Sequence, residues 1–199
     1  MIHPLPQFPP LFPPGKWWRI FLRYLLLGER EAEAIRKANE DSGLRARDWM
    51  RLRLKDDTLI SFPVAGGASA LKNRPPESWR MARECNRETV RYASTLATLY
   101  GRQPYFHLLA DTLRPEAEVG DSAGEVCTLC HRKICEIILP VGQNLTSDLR
   151  KALEADGDRI KTLSDHFSSH FNPGLSIIDV LMRLGPDAIF ALLPAFKTL

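Results

Sequence analysis

The chain predicts a mixed α/β fold: a small sheet built on a hairpin over residues 50–64, packed against several helices in a single domain. Three observations predict it. Met50, Leu52 and Leu54 alternate with Arg51, Arg53 and Lys55, the two-residue period of a half-buried strand. Other stretches, above all 122–139, space apolar residues by three and four, the period of an amphipathic helix. The 199 residues, 44% hydrophobic and 26% charged, supply one ordinary globular core rather than a disordered chain.

The elements follow in order. Residues 5–14 are extended, because each proline fixes φ and disfavours helix in the residue before it. From Lys16 to Leu27 the spacing of Trp17, Phe21, Tyr24 and Leu25 predicts a helix, with Gly28 as a left-handed stop. Residues 29–39 continue as a second, mostly exposed helix. Asp56-Asp57 interrupts the strand alternation before Ile60, Phe62 and Val64, which makes the hairpin and leaves it one basic face. Residues 65–78, rich in Gly, Ala and Pro, read as a loose binding loop. Ser78 caps a helix from Trp79 to Gly101, and Pro104 sits in the first turn of another reaching Leu113. Ser122 to Leu139 is a third, striped by Val126, Leu129, Cys130, Ile134, Ile137 and Ile138, and Thr146 or Ser147 starts a fourth ending near Gly157. Ser176-Ile-Ile-Asp179 has the form of a capping box heading a helix to Leu184, after which Gly185-Pro186 turns into a terminal apolar helix.

Charge and apolar patterning exclude several function classes. With 27 basic and 24 acidic residues the formal charge is +3, short of the concentrated basicity of a nucleic-acid binder. No run supplies the ~18 apolar residues of a spanning helix. The strongest one, 20–27, follows Arg19 and is cut by Arg23, unlike an export signal. Four cysteines without such a signal read as thiols, and the expectation is a cytoplasmic protein. Gly66-Gly67 lacks the lysine and helix junction of a phosphate loop, and there is no Gly-x-Ser-x-Gly elbow.

Cys127-Thr-Leu-Cys130-His131 has the literal form of a c-type haem attachment site. Zinc is an alternative, held by Cys127 and Cys130 with His131 or Cys135, His166 and His170 being a second pair that the fold would have to bring in. Because Cys130 lies on the apolar stripe, the reading adopted is packed helical thiols with no metal and no cofactor.

Three further stretches carry a resemblance. They are Leu59-Ile-Ser-Phe-Pro63-Val64, Tyr100-Gly-Arg-Gln-Pro104-Tyr105-Phe106 and Leu175-Ser-Ile-Ile-Asp179-Val-Leu-Met-Arg-Leu-Gly185-Pro186. Together with the opening Leu5-Pro-Gln-Phe-Pro-Pro-Leu-Phe-Pro-Pro they resemble, in this order, the WbqC-like family, over most of the chain. The resemblance implies a role in bacterial surface-polysaccharide (O-antigen) synthesis, with transfer of an amino-acyl group such as glycine, or of an acyl group, to an amino sugar. It implies no cofactor. Met50-Arg51 stands where the family has Asn-Arg, and Tyr92 falls on its histidine position.

The candidate site combines this with the residues themselves. Arg51 and Arg53 share a strand face and carry planar donor forks suited to phosphate. Phe12 in the pre-ordered start and Tyr100 and Tyr105 flanking a turn are the expected walls of one cleft for an anionic, sugar-bearing ligand such as a nucleotide sugar or amino sugar. His107 and Asp179 are the candidate acid–base groups, Asp179 with a competing task as helix cap. The alternative is a non-catalytic interaction module that docks a protein partner through the proline-aromatic start and the 65–78 loop, and a third is metal binding through the cysteine helix.

Overall fold

The computed structural model describes residues 5–139, 151, 155, 157–168 and 171–193. The expected helix from Thr146 or Ser147 and the candidate ligand His170 lie outside them. The fold is mixed α/β, with a two-stranded antiparallel hairpin and helices around one continuous core.

The proline-rich start is extended as expected, yet it is interior. Pro6, Pro9, Pro10, Leu11, Phe12 and Pro13 are all buried. Its carbonyls find donors in the core: Asn39 Nδ2 donates to Pro6 O (2.7 Å) and Phe8 O (3.1 Å), and Trp49 Nε1 donates to Phe8 O (2.9 Å). Proline offers no N–H of its own, so such a segment enters a core only where side-chain donors reach its carbonyls. A docking arm at this position is therefore corrected by burial.

Helix α1 (Gly15–Leu26) buries Trp17, Trp18, Phe21, Leu22, Leu25 and Leu26. Gly15 is required at its start, since a Cβ there would lie 2.0 Å from the Phe171 ring. Gly28 ends the segment at φ 93°, in the left-handed region that glycine enters freely. Helix α2 (Glu31–Asp41) packs back on α1 through Ala34, Ile35 and Ala38, and its buried Asn39 accepts from Trp17 Nε1 at 3.0 Å.

Strands β1 (Arg51–Arg53) and β2 (Leu59–Ser61) pair Arg51 with Ser61, Leu52 with Ile60 and Arg53 with Leu59. Leu52 and Ile60 point inward and both arginines outward, which is the alternation the sequence predicts. Asp56 and Asp57 both sit at φ 55°, so the turn needs left-handed residues and aspartate tolerates them.

Two expectations are corrected next. Residues 65–78 are not one loose loop: they hold helix α3 (Gly67–Asn73) and a single 3-10 turn at Pro76–Ser78. The following helix, α4 (Cys85–Tyr100), begins six residues after Trp79 rather than at it. Trp79 and Met81 are buried on either side of exposed Arg80, a strand period, and the chain is bridged there from Val64 to Met81 and from Arg80 to Ser122. The apolar spacing from Met81 onward fits a helix too, and the tertiary bridges decide against it.

The turn after α4 leads to the short helix α5 (Phe106–Leu109), two residues beyond Pro104 and ending before Leu113. Helix α6 (Ala123–Ile138) matches its expected span within a residue, and Ser122 Oγ caps it by accepting from Glu125 N (3.4 Å). Its buried stripe is Ala123, Val126, Cys127, Cys130, His131, Ile134 and Ile138, so His131 is on the stripe while Leu129 and Ile137 are only partly covered. Helices α7 (Gly157–Ser168), α8 (Ile177–Leu184) and α9 (Ala188–Leu192) complete the described chain.

Candidate functional site

The basic strand face opens onto a groove of about 380 Å³. Lys16, Arg47, Arg51 and Arg53 supply its cations and Asp48 its single carboxylate, with Phe12, Leu52 and Ser176 among the remaining walls. One set of backbone bonds explains why these distant segments meet. Ser176 N donates to Arg53 O (2.7 Å), Ile177 N to Pro13 O (2.9 Å) and Gly15 N to Leu175 O (3.0 Å), while Ser176 Oγ donates to Phe12 O (3.1 Å). The start of the chain, strand β1 and the head of α8 are thus tied at one point.

The cations are loosely held. Arg51 Nε donates to Ser61 Oγ at 3.1 Å across the hairpin. Arg53 lies 3.8 Å from Asp57, and Arg47 3.8 Å from Asp48, in exposed pairs that contribute little. Their remaining donors face solvent, where an anion finds planar forks that need no desolvation of a buried charge. On the other side of Arg47 and Arg51 lies a second groove of about 620 Å³, floored by Met50, Phe62, Val64 and Leu71 and edged by Arg45 and Lys72.

The other candidate residues divide. Phe12 reaches the groove but is 1% exposed, its ring stacked on Tyr92 at 5.6 Å between centroids, so it forms floor and not a face on which a sugar stacks. Tyr100 is buried, and its hydroxyl donates to Asp179 Oδ1 (3.2 Å) and accepts from Lys55 N (3.0 Å). Burial, the largest cause, holds that hydroxyl well above the usual tyrosine range. Tyr105 leaves the strand face altogether and packs on Gly185, where a Cβ would come within 2.4 Å of its ring. Neither tyrosine lines the basic groove, and the single cleft expected for Phe12, Arg51, Arg53, Tyr100 and Tyr105 is corrected to a groove holding the first three.

Asp179 is buried between Tyr100 and Arg183, whose Nη2 lies 2.5 Å from Oδ2. Its backbone is in the first turn of α8, yet its carboxylate does not return to the cap, so the capping box is half made: Ser176 Oγ accepts from Ile178 N (3.4 Å) and the reciprocal bond is replaced by the Tyr100 contact. His107 is exposed on α5 and meets Phe106 edge to face at 5.3 Å. The two candidate acid–base groups therefore belong to different surroundings, one interior and one at the surface.

The cysteine helix sorts its ligands differently from the sequence pattern. Cys127 faces Met50 Sδ (3.6 Å) in the core, and Cys130 is buried beside it on the stripe. Burial pushes the Cys130 thiol up to about 12 and the Cys127 thiol well above the usual range, as for thiols packed in a core. His131 turns to the opposite neighbour, α2, and is enclosed by Trp18 (stacked, 5.0 Å), Trp17 and Phe21.

No family model matches this chain, and neither a curated protein nor a solved structure is found to be similar to it.

Proposed function

We propose that the protein binds a phosphate-bearing sugar ligand in the groove of Lys16, Arg47, Arg51 and Arg53, as a WbqC-like participant in surface-polysaccharide synthesis. The observation that carries the binding reading is four cations around a groove of about 380 Å³ with one carboxylate, Asp48, among its walls. A sugar phosphate brings two things that this arrangement meets: oxygens for the guanidinium forks, and a ring whose apolar faces suit Leu52, Leu44 and Leu59. Transfer of an amino-acyl or acyl group to an amino sugar is the step that the resemblance implies. The groove itself supports recognition of the ligand more than the transfer, since the acid–base candidates His107 and Asp179 are not among its walls.

Titration calorimetry with a uridine-diphosphate sugar, against the same sugar without phosphate, tests this. Arg51→Gln with Arg53→Gln is expected to weaken the phosphate-bearing ligand by tenfold or more, because each charged hydrogen bond contributes about 1.5–3 kcal/mol before solvent screening. Unchanged affinity would return the arginines to an ordinary solvated strand face.

A further inference from the structure

The side chains of Glu31, His131 and Cys135 converge where the first turn of α2 meets α6, with one donor atom from each within 4.8 Å of the others. His131 Nε2 lies 3.3 Å from Glu31 Oε1 and 3.4 Å from Cys135 Sγ. A tetrahedral zinc ion bound at about 2.0 Å by nitrogen and oxygen and about 2.3 Å by sulfur sets those edges at about 3.3 and 3.5 Å. We propose that Glu31, His131 and Cys135 form a three-donor site for zinc or a cation of the same borderline-soft class, with its fourth position left to water.

Hydrogen bonding alone serves the three groups poorly. Nε2 faces both a carboxylate, which only accepts, and a thiol. Protonated, it satisfies Glu31 and leaves the sulfur without a use for it; unprotonated, it takes the thiol's proton bond and turns a lone pair on the carboxylate. A cation at the point of convergence satisfies all three. The ring is fixed in place: it is 2% exposed and stacked on Trp18, with Nε2 turned to Glu31 and Cys135. Glu31, exposed on the solvent side, is free to close the remaining gap. This donor set differs from the Cys127 and Cys130 pattern in the sequence, whose sulfurs are in the core.

Binding replaces the thiol S–H bond by a sulfur–metal bond and releases that proton to solvent, so affinity rises with pH. Cobalt(II) is the probe, added to chelator-treated protein. The expected result is a one-to-one visible band of tetrahedral cobalt with near-ultraviolet thiolate charge transfer, lost in Cys135→Ser, weakened at least tenfold in Glu31→Gln and retained in Cys130→Ala. Cys135→Ser is close to isosteric, and a normal circular dichroism spectrum and a melting temperature within a few degrees of the parent show that it folds. Zinc raises the melting temperature of the parent and not of that variant. No band at millimolar cobalt, a band unchanged in Cys135→Ser, or equal affinity in Glu31→Gln overturns the three-donor site.

Discussion

Replacing Asp179 by alanine separates a structural carboxylate from a catalytic one. The substitution leaves the buried Tyr100 hydroxyl, which donates to Oδ1 at 3.2 Å, without its acceptor. An unsatisfied buried donor costs about 1–3 kcal/mol. Arg183 loses its partner as well, but its side chain is 31% exposed and turns to water, so its share is held to about 1 kcal/mol. The expected loss is therefore about 2–4 kcal/mol for Asp179→Ala. Asp179→Asn keeps an acceptor for Tyr100 and should lose about half of that or less. Urea unfolding followed by tryptophan fluorescence measures both, with an unchanged denaturant slope confirming that stability and not compactness has moved. Calorimetry on the folded variants then asks about the groove, where Asp179 is not a wall and ligand affinity should stay at the parental value. A stability within ~0.5 kcal/mol of the parent, or a folded Asp179→Asn that loses ligand-dependent activity alone, would refute the structural assignment.

Three further outcomes are expected. Asn39→Ala removes the acceptor of Trp17 Nε1 and the donor to Pro6 O, while Phe8 O keeps its bond from Trp49 Nε1, and should cost about 2–4 kcal/mol in urea unfolding, since two partners are left unsatisfied in the core. Glu31 is held below the ordinary carboxylate range, chiefly by its hydrogen bond with His131, so its contribution is present above the unfolded-state pKa and is lost as the pH falls through the lower folded value. Melting temperatures between pH 6 and pH 3 should accordingly fall less in Glu31→Gln than in the parent. Thiol alkylation at pH 8 should modify Cys127 and Cys130 far more slowly in the native protein than in urea, because burial raises both thiols; equal rates would contradict their enclosure.

The sequence was most legible where one period dominates. Arg51, Leu52 and Arg53 alternate in the structure as they do on paper, and α6 carries the expected span within a residue. It misled where two periods overlap: Trp79 and Met81 suit either a strand or the first turn of a helix, and only the bridges to Val64 and Ser122 select the strand. Composition misled in a different way. Prolines at 6, 9, 10 and 13 read correctly as an extended start and, in one alternative, as a docking segment, but the segment is buried, and Asn39 and Trp49 donate to its carbonyls. Of the candidate site, the arginine face was visible as alternation. The convergence of Glu31 with His131 and Cys135 was not, since residues a hundred positions apart leave no local pattern.

Three of the four stretches that resemble the WbqC-like family, 5–14, 100–106 and 175–186, are bonded to one another. Pro14 pairs with Ser176, and Ile177 N donates to Pro13 O, which joins the proline start to the Leu-Ser-Ile-Ile-Asp segment. Tyr100 at the head of the second motif donates to Asp179 of the third, and Tyr105 N donates to Met182 O. Tyr105 also rests on Gly185, whose φ of 54° and missing Cβ admit its ring. The hairpin enters through Lys55 N on the Tyr100 hydroxyl and Ser176 N on Arg53 O. Pro13, Tyr100, Tyr105, Ser176, Asp179 and Gly185 thus each have a structural task in one network, and none of these tasks requires a reaction. A likeness carried by such residues speaks to a common frame before it speaks to a common chemistry. What the frame presents to solvent at the Ser176 junction is the guanidinium pair of Arg51 and Arg53, the pair on which the proposed binding rests. On the proposed binding reading, ligand specificity is to be sought among the groove residues outside the motifs, Lys16, Leu44, Arg47 and Asp48.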